Sequence, residues 1–431
     1  MLELPMKHFS SRWTFIQLRP VIILGLFIVL NLGLAAATSP GRNLQFGADA
    51  SSWVEPARAL VRHGSFSDPN NPDIPNIHRG PVYPTILALA MSIAGDNFVS
   101  VTIPFQLLLL AATGWVARQF SEGILPGYGD AALTLVIFNP NSLSTAHLIQ
   151  SETVYGLLTT LLVWSLFIYR CHPGIKIASV GGSILGLSCL TRPDGQFLII
   201  LLPLLLLILP AMSKNRYAWR RCTLAAGACL FVSIIVVTPW LIRNHTIGEG
   251  FRLTSYHSAN YYLWGSAAQV AMQRSGSSEA QAEAEMQRRR EALVERAGAD
   301  WSTLSRRDQE RRMIAEAAWA IADSGPIAIL KTMSLSTIQF FIAGGAGNIQ
   351  NLLGYEKSNP YAVFVRQGHS SHFSGWLEAV RFSGVPALTI TILAVGFAVA
   401  LRVIGVLGVV TLTRRNERAI LLIAISFIAY F

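Results

Sequence analysis

The sequence has few charged residues. Only 13% of its 431 residues are Asp, Glu, Lys or Arg, whereas a soluble domain usually contains about 25%. The deficit comes from long apolar runs, which excludes an ordinary soluble domain and indicates an integral membrane protein. Lys and Arg outnumber Asp and Glu by 34 to 24, but much of this excess lies in short loops between apolar runs, as the positive-inside rule describes. Membrane lipids are therefore predicted partners, and nucleic acid is not.

Cysteine, phosphate-loop and metal-ligand patterns are also scarce. The four cysteines lie in or beside apolar runs, so no exported disulfide framework is expected. The sequence has no Gly-rich phosphate loop and no Walker motif, so direct use of ATP is not predicted. His369 and His372 stand one helical turn apart, but no third ligand accompanies them, so no metal site is predicted there.

Apolar runs long enough to cross a bilayer recur along the chain, since a spanning helix needs roughly 20 apolar residues. The first run exceeds the length of about 7–15 residues that is typical of a signal peptide, so it is interpreted as an uncleaved first transmembrane helix. The last run starts at Ala419 and stops at Phe431, which predicts a truncated chain. The predicted spans are 20–38, 98–118, 130–148, 152–170, 176–192, 196–211, 222–241, 384–410 and a start at 419.

Charges that flank these runs orient them in the membrane. Basic residues at the N-terminus and in segments 170–176, 214–221 and 414–418 place those segments in the cytoplasm. The resulting parity puts residues 39–97 outside. The apolar stretch 81–95 within them is too short to cross the membrane, so it is predicted to lie along the outer surface as a juxtamembrane helix.

A long polar region follows the first membrane module. Residues 279–297 and 306–323 are predicted helices, and the second opens with a capping-box pattern at Ser305. Residues 326–343 are long enough to span, but Lys331 and the parity favour a re-entrant or surface helix. The predicted domains are a transmembrane module at 1–265 with its first external loop at 39–97, an external and mostly helical region at 266–382, and C-terminal transmembrane helices at 383–431.

Four polar clusters face the same outer compartment in this topology. In the first, Asp49 suits a general base at the membrane surface, although Asp before a short helix is equally suited to an N-cap. In the second, Arg79 opens the surface helix as an anion site, or else it snorkels to lipid headgroups. The third cluster contains Glu152. The fourth contains Arg192 and Arg243, for which interfacial anchoring is the alternative role.

In this order and spacing, the clusters resemble the GT-C class of membrane glycosyltransferases. That class includes protein O-mannosyltransferases, the lipid A aminoarabinose transferase and the rhizobial lipopolysaccharide galacturonosyltransferases. The resemblance covers roughly residues 15–265. The matching segments are Asp49, Arg-Gly-Pro-Val-Tyr-Pro at 79–84, Ser151-Glu152, Arg192-Pro193 and Pro-Trp-Leu-Ile-Arg-Asn at 239–244.

The sequence also departs from that pattern. Many relatives have two adjacent acidic residues at the first position, whereas Ala50 follows Asp49 here and Glu55 is the nearest second carboxylate. A late segment of the Arg-Tyr-Arg-x-Pro kind is absent, in keeping with the truncation predicted above. The large inserted domain of the eukaryotic protein mannosyltransferases is also absent, which favours a bacterial enzyme.

The resemblance implies an all-α, multi-pass fold with a GT-C-like bundle of about nine or more spans and external juxtamembrane helices. It implies an inverting glycosyltransferase of the bacterial inner membrane, with a cytoplasmic N-terminus and an extracytoplasmic active site. The donor is a sugar on a polyprenyl phosphate, and the acceptor is a lipid, glycan or protein hydroxyl. No cofactor is required, and a divalent metal is compatible with this chemistry but not predicted. The implied residues are Asp49 and Glu152 as catalytic groups, and Glu55, His78, Arg79, Tyr83, Arg192, Arg243 and Asn244 as substrate-binding groups.

Three other functions stay open on the sequence. A polytopic transporter has many helices and buried charges, but the mid-helix positions here are nearly all apolar and the polar clusters lie at one surface. An oligosaccharide ligase or polymerase uses the same donors in the same compartment. A non-catalytic, truncated relative is the third.

Overall fold

The computed structural model describes residues 15–37, 49–212, 219–253, 256–342, 344–355 and 384–430. Regular structure in these ranges is helical, apart from one isolated bridge between Ser67 and Pro75. This confirms the prediction of an all-α protein. The pair His369 and His372 lies outside the described residues, as do most of the predicted cytoplasmic segments at the N-terminus and at 214–221.

The helices of the described residues begin and end close to the predicted bounds. In chain order they are α1 (Phe15–Ala37), α2 (Ala50–His63), α3 (Val82–Ala94), α4 (Val99–Ile124), α5 (Gly129–Ile137), α6 (Pro140–Ala146), α7 (Glu152–Cys171), α8 (Ile175–Thr191), α9 (Leu198–Ile208), α10 (Trp219–Thr246), α11 (Tyr256–Ser275), α12 (Glu279–Ala297), α13 (Ala299–Thr303), α14 (Arg306–Asp323), α15 (Pro326–Ile342), α16 (Ala346–Leu352), α17 (Val385–Arg414) and α18 (Arg418–Tyr430).

Five of these helices are long and apolar enough to cross a membrane: α1, α4, α7, α10 and α17. They identify an integral membrane protein. Three shorter apolar helices end at Thr191, Ile208 and Phe427. Helices α14 and α15 are long and apolar enough to cross a membrane only when they are taken together, and the chain bends by 98° between them. The predicted total of nine or more spans therefore stays a prediction.

One predicted span is wrong, because residues 130–148 form two short helices, α5 and α6, in place of one. The break falls at Asn139 and Pro140. Pro140 has no backbone N–H to continue the first helix, and it starts α6 at a position where Pro is favoured. The Asn139 side chain then caps α6 by accepting a hydrogen bond from the Asn141 backbone N–H at 2.9 Å. The apolar run is long enough to span, but these two residues divide it.

Helices α7, α8, α9, α10 and α18 enclose the largest apolar cluster that is buried within the described residues. Leu162, Leu185 and Leu198 are fully buried in it. Helices α8 and α10 pack closely, since a Cβ added at Gly182 would lie 2.3 Å from the Cys229 carbonyl oxygen. Small residues at helix contacts let membrane helices pack backbone to backbone in this way.

Replacing Gly182 with Leu should therefore destabilise the bundle. The obstacle is a backbone atom that a rotamer change cannot move, and overpacking of this kind costs roughly 1–3 kcal/mol. Thermal unfolding of the purified protein in detergent should show a lower Tm. The matched control is Gly227→Leu on α10, because an added Cβ there meets nothing within 4 Å. Equal Tm values for the two variants would contradict the close packing of α8 on α10.

The helices that follow α10 form a second apolar cluster of their own. Helices α11, α12 and α14 bury Trp264, Met286 and Ala317 between them. Ion pairs on its surface join α12 to the end of α14, where Arg289 Nη2 lies 2.8 Å from Asp323 Oδ2. The predicted helices 279–297 and 306–323 are confirmed, and α15 begins at Pro326 as a separate helix.

Candidate functional site

The predicted site residues gather at one end of the helix bundle. Glu152 lies in the first turn of α7, Arg192 directly follows α8, and Arg243 lies in the last turn of α10. The chain reverses direction between successive helices, so these ends meet on one side. Helices α2 and α3 cover this side. Asp49 lies directly before the first residue of α2, and Arg79 lies three residues before the first residue of α3. The common side that charge parity predicted is therefore a common end of the bundle.

Asp49 pairs with an arginine and does not cap a helix. It occupies the N-cap position of α2, but its side chain makes no capping hydrogen bond. Its Oδ2 atom lies 3.3 Å from Arg79 Nη2. The hydroxyl of Ser52 reinforces the pair, since it accepts a hydrogen bond from Arg79 Nε at 2.9 Å and donates one to the Asp49 backbone carbonyl at 2.6 Å. The capping alternative for Asp49 is therefore wrong.

Asp49 is accessible, whereas Arg79 is held in place. Their side chains are 67% and 20% exposed. The Arg79 guanidinium lies 4.5 Å from the centre of the Trp53 ring, within cation–π range. This stacking fixes the cation next to an open carboxylate. It also shows that Arg79 does not simply snorkel, because its head group contacts protein on two sides.

Tyr83 contacts Trp53, the residue on which Arg79 stacks, and it has no exposed surface. Its ring packs edge-on against Trp53 at 5.3 Å, and its hydroxyl donates to Gln106 Oε1 at 2.6 Å. Burial and the nearby carboxylate of Glu152 raise the pKa of Tyr83, so the phenol stays protonated and acts as a donor. The structure thus gives Tyr83 a packing position, where the sequence predicted substrate contact.

Gly80 brings the Arg79 loop onto the end of α8. A Cβ at this position would lie 2.1 Å from the backbone oxygen of Leu190. No other residue fits there, because the obstacle belongs to the backbone of a buried helix. The contact places Arg79 beside the segment that leads, two residues later, to Arg192.

Glu152 and Arg192 form the second ion pair of the site. Arg192 Nη1 lies 2.6 Å from Glu152 Oε1, and its Nε lies 3.4 Å from Asp194 Oδ2. Burial disfavours the charged guanidinium, but the two carboxylates outweigh it and raise the pKa of Arg192. The other oxygen, Glu152 Oε2, is buried, as is the Ser151 hydroxyl, and neither has a hydrogen-bond partner within the described residues. Such buried polar atoms are uncommon in proteins and often mark functional sites.

Arg243 and Asn244 fasten two loops to the end of α10. Arg243 Nη2 donates to the Phe66 carbonyl at 2.6 Å, and its Nη1 donates to Asn244 Oδ1 at 2.9 Å. Asn244, which is buried, donates in turn to the Arg252 carbonyl at 2.7 Å. The guanidinium also stacks on Trp240 at 4.7 Å. These contacts are within the protein, so Arg243 holds the loop that leads to Arg79 and Asn244 holds the loop that follows α10.

The two remaining predicted residues lie at the edge of the site. Glu55 is exposed on α2 and forms no ion pair with any other described residue. His78 is half-buried, and its backbone N–H donates to Asn76 Oδ1 at 3.2 Å. Sequence reasoning missed Ser52, Trp53 and Gln106 as supporting residues.

An apolar groove runs along α1 and α4. Its volume is about 700 Å³. In its wall, His147 Nε2 and Asn31 Oδ1 lie 2.8 Å apart. Gln106 connects this part of the wall to Tyr83, because its Nε2 donates to the carbonyls on both sides of His147, those of Ala146 and Leu148.

Within the described residues, no three His, Cys, Asp or Glu side chains come together as metal ligands. Comparisons of the chain with protein-family models and with curated proteins find no match.

Proposed function

We propose that this protein is an inverting glycosyltransferase that moves a sugar from a polyprenyl-phosphate donor to an acceptor hydroxyl on the extracytoplasmic face of the membrane. One observation carries the proposal: an exposed carboxylate, Asp49, lies beside Arg79, and a second pair of Glu152 and Arg192 lies at the same end of the apolar helices. A polar acceptor and a membrane-bound donor can meet only at such an end.

The reaction is a single displacement at the anomeric carbon. The acceptor oxygen attacks that carbon while the bond from the carbon to the phosphate oxygen breaks, which inverts the configuration. The acceptor proton passes to Asp49, whose exposed carboxylate can reach an incoming hydroxyl. The leaving group departs as polyprenyl phosphate.

Arginine side chains stabilise the negative charge of that leaving group. Arg79 and Arg192 are the two proposed phosphate contacts, because planar guanidinium groups match phosphate oxygens. Both are partly buried and already oriented by neighbouring carboxylates. Electrostatic groups fixed in advance of the reaction stabilise charge without a reorganisation cost. Arg243 acts as a positioning residue, because its guanidinium bonds to the loop that carries Arg79.

Glu152 is proposed both to orient Arg192 and to bind the donor sugar. Its Oε1 orients Arg192, while its Oε2 and the Ser151 hydroxyl lack partners in the described part of the chain. A donor sugar offers hydroxyl groups that satisfy both atoms. In this proposal the sugar occupies the space beside α7, between the phosphate contacts and Asp49.

The apolar groove beside α1 and α4 suits the lipid tail of the donor. Its volume lies within the range of about 300–1,000 Å³ that is common for small-molecule sites. The link from His147 through Gln106 to Tyr83 sets the groove next to the polar site. A tail in the groove would leave the phosphate near Arg79.

A transfer assay in membranes tests the proposal. Membranes that contain the full chain receive radiolabelled sugars on polyprenyl phosphate, and a parallel series receives the same sugars on nucleotides. We expect label in the acceptor fraction only from the lipid-linked series, since no nucleotide-binding motif is present. Label from nucleotide sugars alone, or no transfer from any lipid-linked sugar by well-folded protein, would contradict the proposal.

A further inference from the structure

A second, polar cavity lies between the bundle and the helices that follow α10. Its volume is about 590 Å³. Two loops of the bundle form one wall, at residues 75–77 and 247–249, and the first turns of α14 form the other. The α14 residues that line it are Ser305, Arg307, Asp308 and Arg311.

The cavity is lined by chain segments that also carry residues of the site described above. Ile77 lies in its wall two residues before Arg79, and Ile247 lies in its wall three residues after Asn244. Glu249, a third wall residue, is close enough to Arg243 to act electrostatically on it. The same two chain segments therefore carry site residues and then form this cavity.

The cavity wall mixes hydrogen-bond donors and acceptors. Arg307 and Arg311 are one helical turn apart on α14, so both guanidinium groups lie on one face. Asp308 supplies a carboxylate from the α14 wall, and Glu249 supplies one from the bundle wall. The Ser305 hydroxyl fixes Asp308 by donating to its Oδ2 at 2.6 Å. The Arg307 guanidinium lies over Gly250, where an added Cβ would be 3.9 Å from its Nη1.

The charge balance identifies the kind of ligand. Two arginines and two carboxylates line the cavity, so their formal charges cancel and do not favour an anion such as phosphate over a neutral ligand. Hydroxyl groups both donate and accept, and they match a wall that offers both. We infer that this cavity binds a hydroxyl-rich saccharide and that it is the acceptor site, which makes the acceptor a glycan. This inference rests on the proposed transferase function.

An array experiment tests the cavity without any donor. The full chain is purified in lipid nanodiscs, labelled with a fluorophore and applied to printed neutral oligosaccharides, phosphorylated oligosaccharides and anionic phospholipids. We expect binding to neutral oligosaccharides. Arg307→Gln and Arg311→Gln should each weaken that binding by about tenfold, since each substitution removes a hydrogen bond from a charged donor.

Arg312→Gln is the matched control. It removes the same charge from the same helix one residue further on, outside the cavity wall, and it should bind as the wild type does. Three results would overturn the inference: no binding to neutral oligosaccharides, preference for the phosphorylated or phospholipid spots, or equal binding by the Arg307, Arg311 and Arg312 variants. If the chain binds saccharide but transfers no sugar, the saccharide site in the cavity would be supported and the proposed transferase function would be contradicted.

Discussion

Asp49→Asn is expected to lower the rate of sugar transfer by roughly 10²–10⁴-fold, the usual contribution of a general base. Asn has nearly the same shape, and its side-chain oxygen can still accept a hydrogen bond from Arg79, but it cannot take the acceptor proton. The loss should therefore appear in kcat, with expression and Tm unchanged. The measurement is initial-rate transfer of radiolabelled sugar from polyprenyl phosphate in membranes with matched amounts of protein.

Asp73→Asn is the control for this experiment. Asp73 is exposed in the same loop region as Arg79, and removal of its charge should leave transfer at the wild-type rate. Transfer by the Asp49 variant at the wild-type rate would assign the base to another carboxylate. Glu55 and Glu152 would be the next residues to test, because both lie on elements of the site.

Gly80→Ala should have a comparably large effect, although it removes no chemical group. The new Cβ would lie 2.1 Å from the Leu190 backbone oxygen, so either the Arg79 loop or the end of α8 must move. Each carries one of the proposed phosphate contacts. A misplacement of about 1 Å can reduce catalysis by about 100-fold. We expect loss of transfer together with a lower Tm.

Gly156→Ala provides the comparison, because this glycine lies one turn into α7 from Glu152 and an added Cβ there meets nothing within 4 Å. That variant should keep its stability and its transfer rate. Transfer and Tm both unchanged in Gly80→Ala would mean that the Arg79 loop is not seated on α8. A lower Tm with normal transfer would instead separate the seating of the loop from its role in phosphate binding.

The helices could be predicted well from the sequence because apolar length is a strong signal. Helix α7 runs from Glu152 to Cys171, one residue beyond its predicted end. The prediction fails at 130–148, where average hydropathy conceals the local effect of Asn139 and Pro140. Hydropathy measures whether a segment prefers lipid, and it says nothing about where a single missing N–H interrupts a helix.

The site could be predicted as a set of residues but not as a set of contacts. Arg192 and Glu152 are forty residues apart in the chain, and no local pattern pairs them. Trp53 and Tyr83 look like ordinary apolar residues of short helices until the structure brings them beneath Arg79. Gln106 did give a signal, since an amide within an apolar span needs a partner.

Arg243 illustrates a different limit. An arginine near the end of an apolar helix predicts an anchor or an anion contact equally well. The structure gives its guanidinium protein partners at Phe66 and Asn244, and this geometry depends on a loop more than 150 residues earlier in the chain. A role predicted from one segment of the sequence leaves out the contacts made by a distant segment that folds onto it.

The three hydrogen bonds of Gln106 bear on how this chain enters the membrane during synthesis. The carbonyl of Ala146, the last residue of α6, takes the Gln106 amide as its partner, and it would cost several kcal/mol if left unpaired in lipid. The Leu148 carbonyl also accepts from the Gln150 backbone N–H at 3.0 Å, so it depends less on Gln106. Helix α4 must therefore be in place before the end of α6 is satisfied, and in this respect α4 serves as a template for α6 during biogenesis.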